Sequence, residues 1–254
     1  MKKIFLFFIS ILLFFSHLFC EELSYKLDRS ELPIYKTEEQ RELIIHKGYV
    51  LSYREVYEQP EFVMYVLNYG NSKVSRSNDF KPDYSVSTKS AIPQDYYKSG
   101  YDKGHLAPAA DFSYSKELMS ESFYMSNMSP QTPGLNRGPW KFLEEYFRNL
   151  GEKYDKVYII TGPVLGSDDT SDSFKEIGEN KVKIPYLFYK CGLFIKDNEY
   201  YMISFLMPNE IISRNFEDYQ CNTDDIESLV EMDFFAFLND ETEESLESYK
   251  PPLK

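Results

Sequence analysis

The 254-residue chain has a formal charge of −13 at pH 7, and a chain of this length can bury a sizeable core. The negative charge argues against a partner held mainly by phosphate attraction. The surplus is uneven, however, because residues 210–254 carry 13 acidic and 3 basic side chains whereas residues 70–150 carry 9 acidic and 10 basic ones. The central segment is therefore the part of the chain that could accept an anionic ligand.

The first twenty residues have the layout of an export signal. Two lysines precede an almost wholly apolar stretch from Ile4 to Phe15, which is shorter than the roughly 20 apolar residues of a spanning helix. We predict a signal peptide over residues 1–20 and a periplasmic or extracellular protein with no stable membrane partner after cleavage. A lipid anchor at Cys20 is the less favoured alternative, because bulky Phe19 precedes the cysteine.

Four residues of the predicted mature chain can carry thiol or imidazole chemistry: His46, His105, Cys191 and Cys221. In an oxidising compartment the two cysteines could pair, and the sequence leaves open whether they do or stay reduced. We expect His46 to be a structural residue at a strand end. So few nitrogen and sulfur ligands argue against a zinc site.

Residues 42–70 are rich in β-branched and aromatic side chains, which predicts successive strands broken at His46–Gly48 and at Gln59–Pro60. Residues 70–135 hold few regular signals, so we predict loops there. Binding residues tend to gather in loops.

A helix is predicted in the stretch LNRGPWKFLEEYFRNLG, with Pro139 in its first turn and Gly151 as its stop signal. Apolar residues recur along it at helical spacing, namely Trp140, Leu143, Phe147 and Leu150. A strand follows in residues 155–166, ended by Gly162 and Pro163, and then a hairpin that turns at Lys196–Asn198.

The acidic end of the chain contains a further helix signal, in which Asp224 is followed three residues later by Glu227. Together the elements predict an α+β fold with a central antiparallel sheet flanked by helices. We assign residues 21–254 to one domain, with a core at about 41–240 and an acidic C-terminal tail.

The chain lacks GxSxG, GxxxxGK[ST] and GxGxxG patterns. Their absence argues against acyl transfer on a hydrolase fold, P-loop phosphoryl transfer and dinucleotide binding. What remains is His105 in the segment YDKGHLAPAADF, with amides and carboxylates downstream. Gly104 would let the backbone turn and approach a ligand closely, and a neutral imidazole can accept a proton from water beside a hard, oxygen-bound cation. The competing interpretation is a surface turn with an incidental histidine.

Three stretches in this order, YDKGHLAPAADF, FYMSNMSPQTPGLNRGPWKFLEEYFRNL and VYIITGPVLG, resemble the DNA/RNA non-specific endonuclease family, which includes the Serratia nuclease and endonuclease G. The likeness runs from about Tyr49 to Phe235. The family signature is Asp-Arg-Gly-His, then Ser-Asn, then a Leu-Asn that begins a helix. Lys103 replaces the arginine, which keeps the charge but loses the bidentate fork.

The resemblance implies a ββα-metal site and a role for each matching residue. His105 falls on the general base that activates water, and Asn136 on the direct protein ligand of Mg²⁺, for which Mn²⁺ could substitute. Glu144 falls on a carboxylate that orients water coordinated by the metal. Asn127 falls on a polar residue that supports the site, and Arg76 on an arginine that faces the phosphate.

Three neighbouring residues complete the predicted site as substrate-binding groups. Lys103 could hold a phosphate, Asp102 could orient its neighbours, and Arg137 is a candidate phosphate contact. The resemblance implies an enzyme that hydrolyses both DNA and RNA to products with 5′-phosphate ends, because attack directed at the backbone needs no base readout. The sequence leaves open whether the chain forms a homodimer.

Each assignment has a structural alternative. Asn136 could only cap a helix, Glu144 could be a solvated helix residue, Asn127 could satisfy loop backbone, and Arg76 could pair with Asp79. For the whole chain, the alternative is a binding module on the same scaffold that has lost catalysis.

Overall fold

The fold, seen in a computed structural model, is described for residues 22–24, 27–71, 73–210 and 215–254. The predicted signal peptide and Cys20 lie outside the described residues. The strands are β1 (Glu22–Ser24), β2 (Leu27–Asp28), β3 (Ile34–Tyr35), β4 (Glu42–Ile45), β5 (Val50–Arg54), β6 (Gln59–Val66), β7 (Asp102–His105), β8 (Met128–Gln131), β9 (Lys156–Pro163), β10 (Glu176–Ile177), β11 (Val182–Lys183), β12 (Leu187–Lys196), β13 (Glu199–Pro208), β14 (Gln220–Cys221) and β15 (Met232–Asp233). The α-helices are α1 (Lys116–Glu121), α2 (Pro133–Asn136), α3 (Pro139–Gly151), α4 (Thr223–Val230) and α5 (Asp240–Glu247).

The central sheet has seven strands in the order β14-β13-β12-β9-β6-β5-β4, and every neighbouring pair is antiparallel. With helices packed against it, this sheet confirms the predicted α+β class. The predicted hairpin is β12–β13, and its turn residues Asp197 and Asn198 have φ angles of 51° and 62°. Aspartate and asparagine tolerate this left-handed conformation better than most residues, and for this reason the sequence could predict the turn.

Alternating side chains bury both faces of the sheet. Val63 and Tyr65 of β6 pack in one apolar cluster with Trp140 and Leu143 of α3. The intervening Met64 belongs to a second cluster. That second cluster also holds the apolar residues of α4 and β15, which are Ile226 and Met232. The sheet therefore separates an α3 face from an α4 face.

Two boundary predictions were wrong in detail. The predicted break at Gln59–Pro60 falls instead at the short 3-10 turn Glu55–Tyr57, and β6 begins at Gln59. Pro60 is accommodated because the β5–β6 register shifts there, so the proline sits at an irregularity of the ladder. Helix α4 begins earlier than predicted, because Asn222 and not Asp224 caps it by accepting from the backbone of Asp225.

Other expectations concern the loops, the cysteines and the tail. Residues 70–135 were predicted to be loops, but they contain β7, α1 and β8 between irregular stretches. The acidic C-terminal segment forms β14, α4, β15 and α5. Cys191 and Cys221 are both free thiols. Within the described ranges, no helix combines the length and the apolar character that crossing a membrane requires.

Candidate active site

A short hairpin and the helices after it carry the histidine of the DKGH segment. β7 pairs with β8 so that Asp102 lies opposite Gln131 and His105 opposite Met128. A Cβ at Gly104 would overlap Oε1 of Gln131. The close approach predicted at Gly104 is therefore present, here to Gln131, whereas the predicted turn is not, because Gly104 lies within β7. Because α2 and α3 follow directly, the segment has the ββα arrangement implied by the resemblance.

His105 is a buried, neutral imidazole. It is 7% exposed, and its ring stands edge-on to Phe80 and Phe123 with centroids 5.6 and 4.9 Å away. Burial and the positive charges of Arg76 and Lys103 lower the pKa of His105 to about 3, against a hydrogen bond to the backbone of Lys103. Nε2 has no hydrogen-bond partner among the described residues. The ring is thus neutral at pH 7, and Nε2 has a free lone pair that can accept a hydrogen bond from water.

Asp102 positions the amide that was predicted to bind the metal. The Nδ2 of Asn136 donates to Oδ2 of Asp102 at 2.9 Å, so the amide oxygen is the atom that can act as a ligand. Asn136 does not cap the following helix, whose N-cap is Gly138. β7 therefore carries His105 and, through Asp102, also holds Asn136 in place.

Arg137 binds the same carboxylate. Its Nε and Nη2 donate to the two oxygens of Asp102 at 2.8 and 2.6 Å. Against the effect of burial, the hydrogen bonds from Arg137 and Asn136 lower the pKa of Asp102. Asp102 is therefore an ionised positioning group, and the predicted contacts of Asp102 and Arg137 with substrate stay predictions.

Glu144 lies on α3, half-buried and surrounded by charges. Burial raises the pKa of Glu144 to about 7, against the positive charges of Lys190, Arg148 and Arg76. Arg148 follows one helical turn later and its Nη1 donates to Oδ1 of Asp111 at 2.6 Å. The solvated-helix alternative for Glu144 therefore does not hold. Its carboxylate is instead part of a charged group with Lys190, Asp111 and Arg148.

Lys190 is the buried cation of this group. It occupies the middle of β12 at 1% exposure, and its Nζ donates to the backbone oxygen of Leu106 at 3.4 Å. The ammonium also lies 5.4 Å from the centroid of the Trp140 ring. Burial lowers the pKa of Lys190, and the carboxylates of Glu144 and Asp111 oppose that effect. Lys190 thus places a buried positive charge against the backbone that directly follows His105.

Arg76 lies beside the histidine. Its guanidinium carbon is 5.0 Å from the centroid of the Phe123 ring, which itself packs on the imidazole. Nε of Arg76 donates to Asn78 at 2.8 Å, while Asp79 accepts from Lys81 at 3.1 Å. The alternative pairing of Arg76 with Asp79 is therefore not formed.

Lys103 adds a second cation on the same side of the imidazole. Its Nζ lies 4.8 Å from the centroid of the Phe80 ring, and that ring packs edge-on to His105. Arg76, Arg148 and Asp111 also line a neighbouring cleft of about 560 Å³. Arg76 and Lys103 therefore lie on the two aromatic rings that pack against the imidazole, and Arg76 also lines the cleft.

Asn127 is fully buried, and both ends of its amide bind backbone. Oδ1 accepts from the N–H of Ala107 at 2.9 Å, while Nδ2 donates to the oxygens of Ala107 and Ser122, both at 2.9 Å. These bonds hold the chain two residues after His105. Asn127 thus supports the site by positioning, and its backbone role is real as well.

Replacing this residue tests that role. Asn127→Ala should lower the free energy of unfolding by about 2–4 kcal/mol, because it leaves buried backbone groups of Ala107 and Ser122 unpaired. Denaturant unfolding measures the change. Asn180→Ala is the control, since Asn180 is exposed and bonds only to Asp95 among the described residues. Equal stability of the two variants would contradict the assignment.

Sequence reasoning missed Lys190, Asp111 and Arg148. A lysine within the apolar strand YLFYKCGLF was a usable signal, because a charge at a core position is rarely unpaired. Asp111 and Arg148 are 37 residues apart, and no local pattern joins them.

Comparison with known proteins identifies the family of this chain. The model of the DNA/RNA non-specific endonuclease family matches residues 30–241. The chain belongs to this family. It is 32% identical to mouse mitochondrial nuclease EXOG over 230 residues, covering 84% of this chain and 61% of that protein. It is 37% identical to human mitochondrial endonuclease G over 141 residues, which are 53% of this chain and 48% of that protein.

A solved structure shares the fold. The crystal structure of an EndoG/EndoGI complex has a TM-score of 0.71 and 33% identity, covering 81% of this chain and 89% of that one. This likeness to a family structure supports the α+β fold implied by the sequence. The chain spans about 60% of the length of the EXOG relatives from mouse, zebrafish and human.

The prediction of a periplasmic or extracellular location is wrong by this comparison. The mouse, zebrafish and human relatives are mitochondrial nucleases, as are the human and bovine endonucleases G. The prediction rested on residues 1–20 alone, where a basic start and an apolar run do not by themselves identify the compartment.

Proposed function

We propose that this chain is an endonuclease that hydrolyses phosphodiester bonds in both DNA and RNA and leaves 5′-phosphate ends. The observation that carries the proposal is the free Nε2 of a neutral His105, placed among the cationic side chains of Arg76 and Lys103. A buried acceptor without a donor is costly. Its position suits a water molecule that is to be deprotonated.

Substrate recognition would be directed at the backbone. Arg76, Lys103 and Arg148 offer positive charge to phosphate oxygens, and contacts with phosphates carry no sequence information. Family membership supports the same conclusion, because the family acts on both DNA and RNA as its description states.

The residues fit a hard divalent cation, which we propose to be Mg²⁺, with Mn²⁺ as a substitute. Asn136 would hold it through the amide oxygen that its bond to Asp102 leaves available. When bound, the cation would stabilise negative charge on the phosphate and on the departing oxygen. A neutral ligand leaves most of the cation's charge available for that purpose.

The chain's own residues would manage the proton. Nε2 of His105 accepts it from the attacking water, and Glu144 orients water on the other side of the phosphate. Asp102 keeps Asn136 in position, and Asn127 holds the backbone that follows the histidine. Homodimer formation stays a prediction.

Incubation of the purified chain with plasmid and with RNA tests the function. We expect both to be degraded with Mg²⁺, neither with chelator, and the products to carry 5′-phosphate ends that a ligase can join. Binding of nucleic acid without cleavage would instead support the inactive module. Cleavage of only one of the two polymers would contradict sugar-nonspecific attack.

A pH profile tests the effect of the surrounding charges on Glu144. We expect the rate to fall as the pH drops through about 7, because a raised carboxyl pKa means that Glu144 becomes protonated there. Lys190→Met should move the midpoint to higher pH, since removing the positive charge raises the pKa of Glu144 further. The rate is measured across pH 5–9 with an oligonucleotide substrate.

Two comparisons make this profile specific to Glu144. Glu144→Gln should be slow and show no midpoint near 7. Lys181→Met is the control for the lysine change, because Lys181 is exposed and is not among the main charges that shift the pKa of Glu144, and it should leave the midpoint unchanged. An unshifted midpoint in the Lys190→Met protein would contradict the proposed effect of Lys190 on Glu144.

A further inference from the structure

A cluster of five carboxylates lies on the α4 face of the sheet, away from His105. We call Asp224, Glu227, Asp233, Glu243 and Glu247 the carboxylate cluster. One oxygen from each of Asp224, Glu227 and Glu247 lies within 4.8 Å of the others, and the same holds for Asp233, Glu243 and Glu247. Glu247 belongs to both groups and is therefore the centre of the cluster.

Glu247 carries an oxygen with no donor. The residue is only 4% exposed, and its Oε1 has no hydrogen-bond partner in the described part of the chain. Buried polar oxygens are nearly always satisfied by a donor, an ordered water or an ion. Since the carboxylates of the cluster converge on Glu247, the unpaired oxygen points to a missing positive ligand.

The protein supplies little charge to balance the cluster. Among the described residues, Lys36 is the one basic side chain within 4 Å of it, at 3.5 Å from Glu227 and 4.0 Å from Asp233. Its side chain is half exposed. One half-exposed lysine therefore faces a cluster of five carboxylates.

We propose that the carboxylate cluster is a binding site for Ca²⁺, distinct from the cation site at Asn136. Ca²⁺ takes six to eight oxygen ligands at 2.3–2.6 Å, so ligands on opposite sides of the ion are about 4.6–5.2 Å apart. The oxygens of each group of three lie within 4.8 Å of one another, so one ion can contact all three, and the variable coordination geometry of Ca²⁺ suits carboxylates that come from different elements. Mg²⁺ needs shorter bonds in a strict octahedron, and the absence of nitrogen or sulfur from both groups disfavours Zn²⁺.

In either group of three, the ion would join α5 to a second element of the α4 face. Asp224 and Glu227 come from α4, Asp233 from β15, and Glu243 and Glu247 from one face of α5. Bound Ca²⁺ would therefore fasten α5 to the rest of the α4 face. Its role is structural, and it does not depend on the proposed nuclease activity.

Thermal unfolding of the full chain tests the site, with millimolar Ca²⁺ compared with chelator. The background is the Asn136→Ala protein, which removes the proposed active-site ligand. We expect Ca²⁺ to raise the Tm by about 5 °C, the size expected for a ligand well above its Kd in a domain of this length. Calorimetric titration should give about one Ca²⁺ per chain for this variant.

Two further substitutions in the same background decide where the ion binds. Glu247→Gln should reduce the Ca²⁺-dependent rise to below about 1 °C, whatever its own Tm, because the central carboxylate is lost. Glu241→Gln is the matched control, since Glu241 is exposed on the same helix and lies outside the cluster, and it should keep the full rise. No rise in the Asn136→Ala protein, or an equal rise in Glu247→Gln, would overturn the proposal.

Discussion

His105→Ala should lower the rate of phosphodiester hydrolysis by about 10²–10⁴-fold, the usual contribution of a general base. The imidazole is the group whose Nε2 is free and neutral beside the cationic side chains, and alanine offers no proton acceptor in its place. The measurement is kcat with a labelled oligonucleotide at saturating Mg²⁺. Added imidazole should restore part of the rate, because the substitution leaves a space of that size.

His46→Gln is the matched histidine control. Nε2 of His46 lies 2.8 Å from Oδ2 of Asp83, and the ring stacks on Tyr124, so the substitution should lower stability. At temperatures where the variant is folded, its kcat should stay within about twofold of the parent. If His105→Ala kept full activity, the general-base assignment would be refuted.

Asn136→Ala should lower the rate by at least about 100-fold at low Mg²⁺, since loss of even an outer partner of a metal ligand typically costs 10–100-fold. The reason is that the amide oxygen positioned by Asp102 is the proposed protein ligand of the cation. The dependence of the rate on Mg²⁺ concentration is the measurement, and its midpoint should move to higher concentration.

Asn180→Ala serves here too as the control, because it removes an exposed amide whose hydrogen bond goes to Asp95 and not to a residue of β7. It should leave the Mg²⁺ dependence unchanged. Asp102→Asn gives an independent check, since a neutral partner would hold Asn136 and Arg137 less firmly and should weaken Mg²⁺ binding less than Asn136→Ala does. An unchanged Mg²⁺ midpoint in Asn136→Ala would exclude Asn136 as the ligand.

Much of the fold could be predicted from local sequence patterns. The bounds of α3 were marked by Pro139 and Gly151, and the β12–β13 turn by two residues that tolerate positive φ. Pro60 was misread because a proline within a strand is tolerated only where the ladder is irregular, and register depends on the partner strand. Residue propensities therefore predicted which strands and helices form better than they predicted the residues at which those elements begin and end.

The residues of the candidate site were also predictable only in part. His105 and Asn136 could be named because they fall in short motifs. The charges that set their chemistry could not, because Lys190 reaches the site from β12 and Asp111 is bound by Arg148 and by Tyr65. Such partners are joined by sheet register and helix packing, which no window of sequence contains.

Acidic and basic side chains are concentrated on opposite faces of the central sheet. Residues 210–254, with 13 acidic and 3 basic side chains, pack many of their carboxylates on the α4 face, whereas the cations near His105 lie on the α3 side. The central sheet lies between α3 and α4, and exposed charges farther apart than a Debye length of about 8 Å at physiological salt are largely screened from one another. A polyanion would therefore be repelled from one side and admitted at the other, and the overall negative charge would orient its approach instead of preventing it.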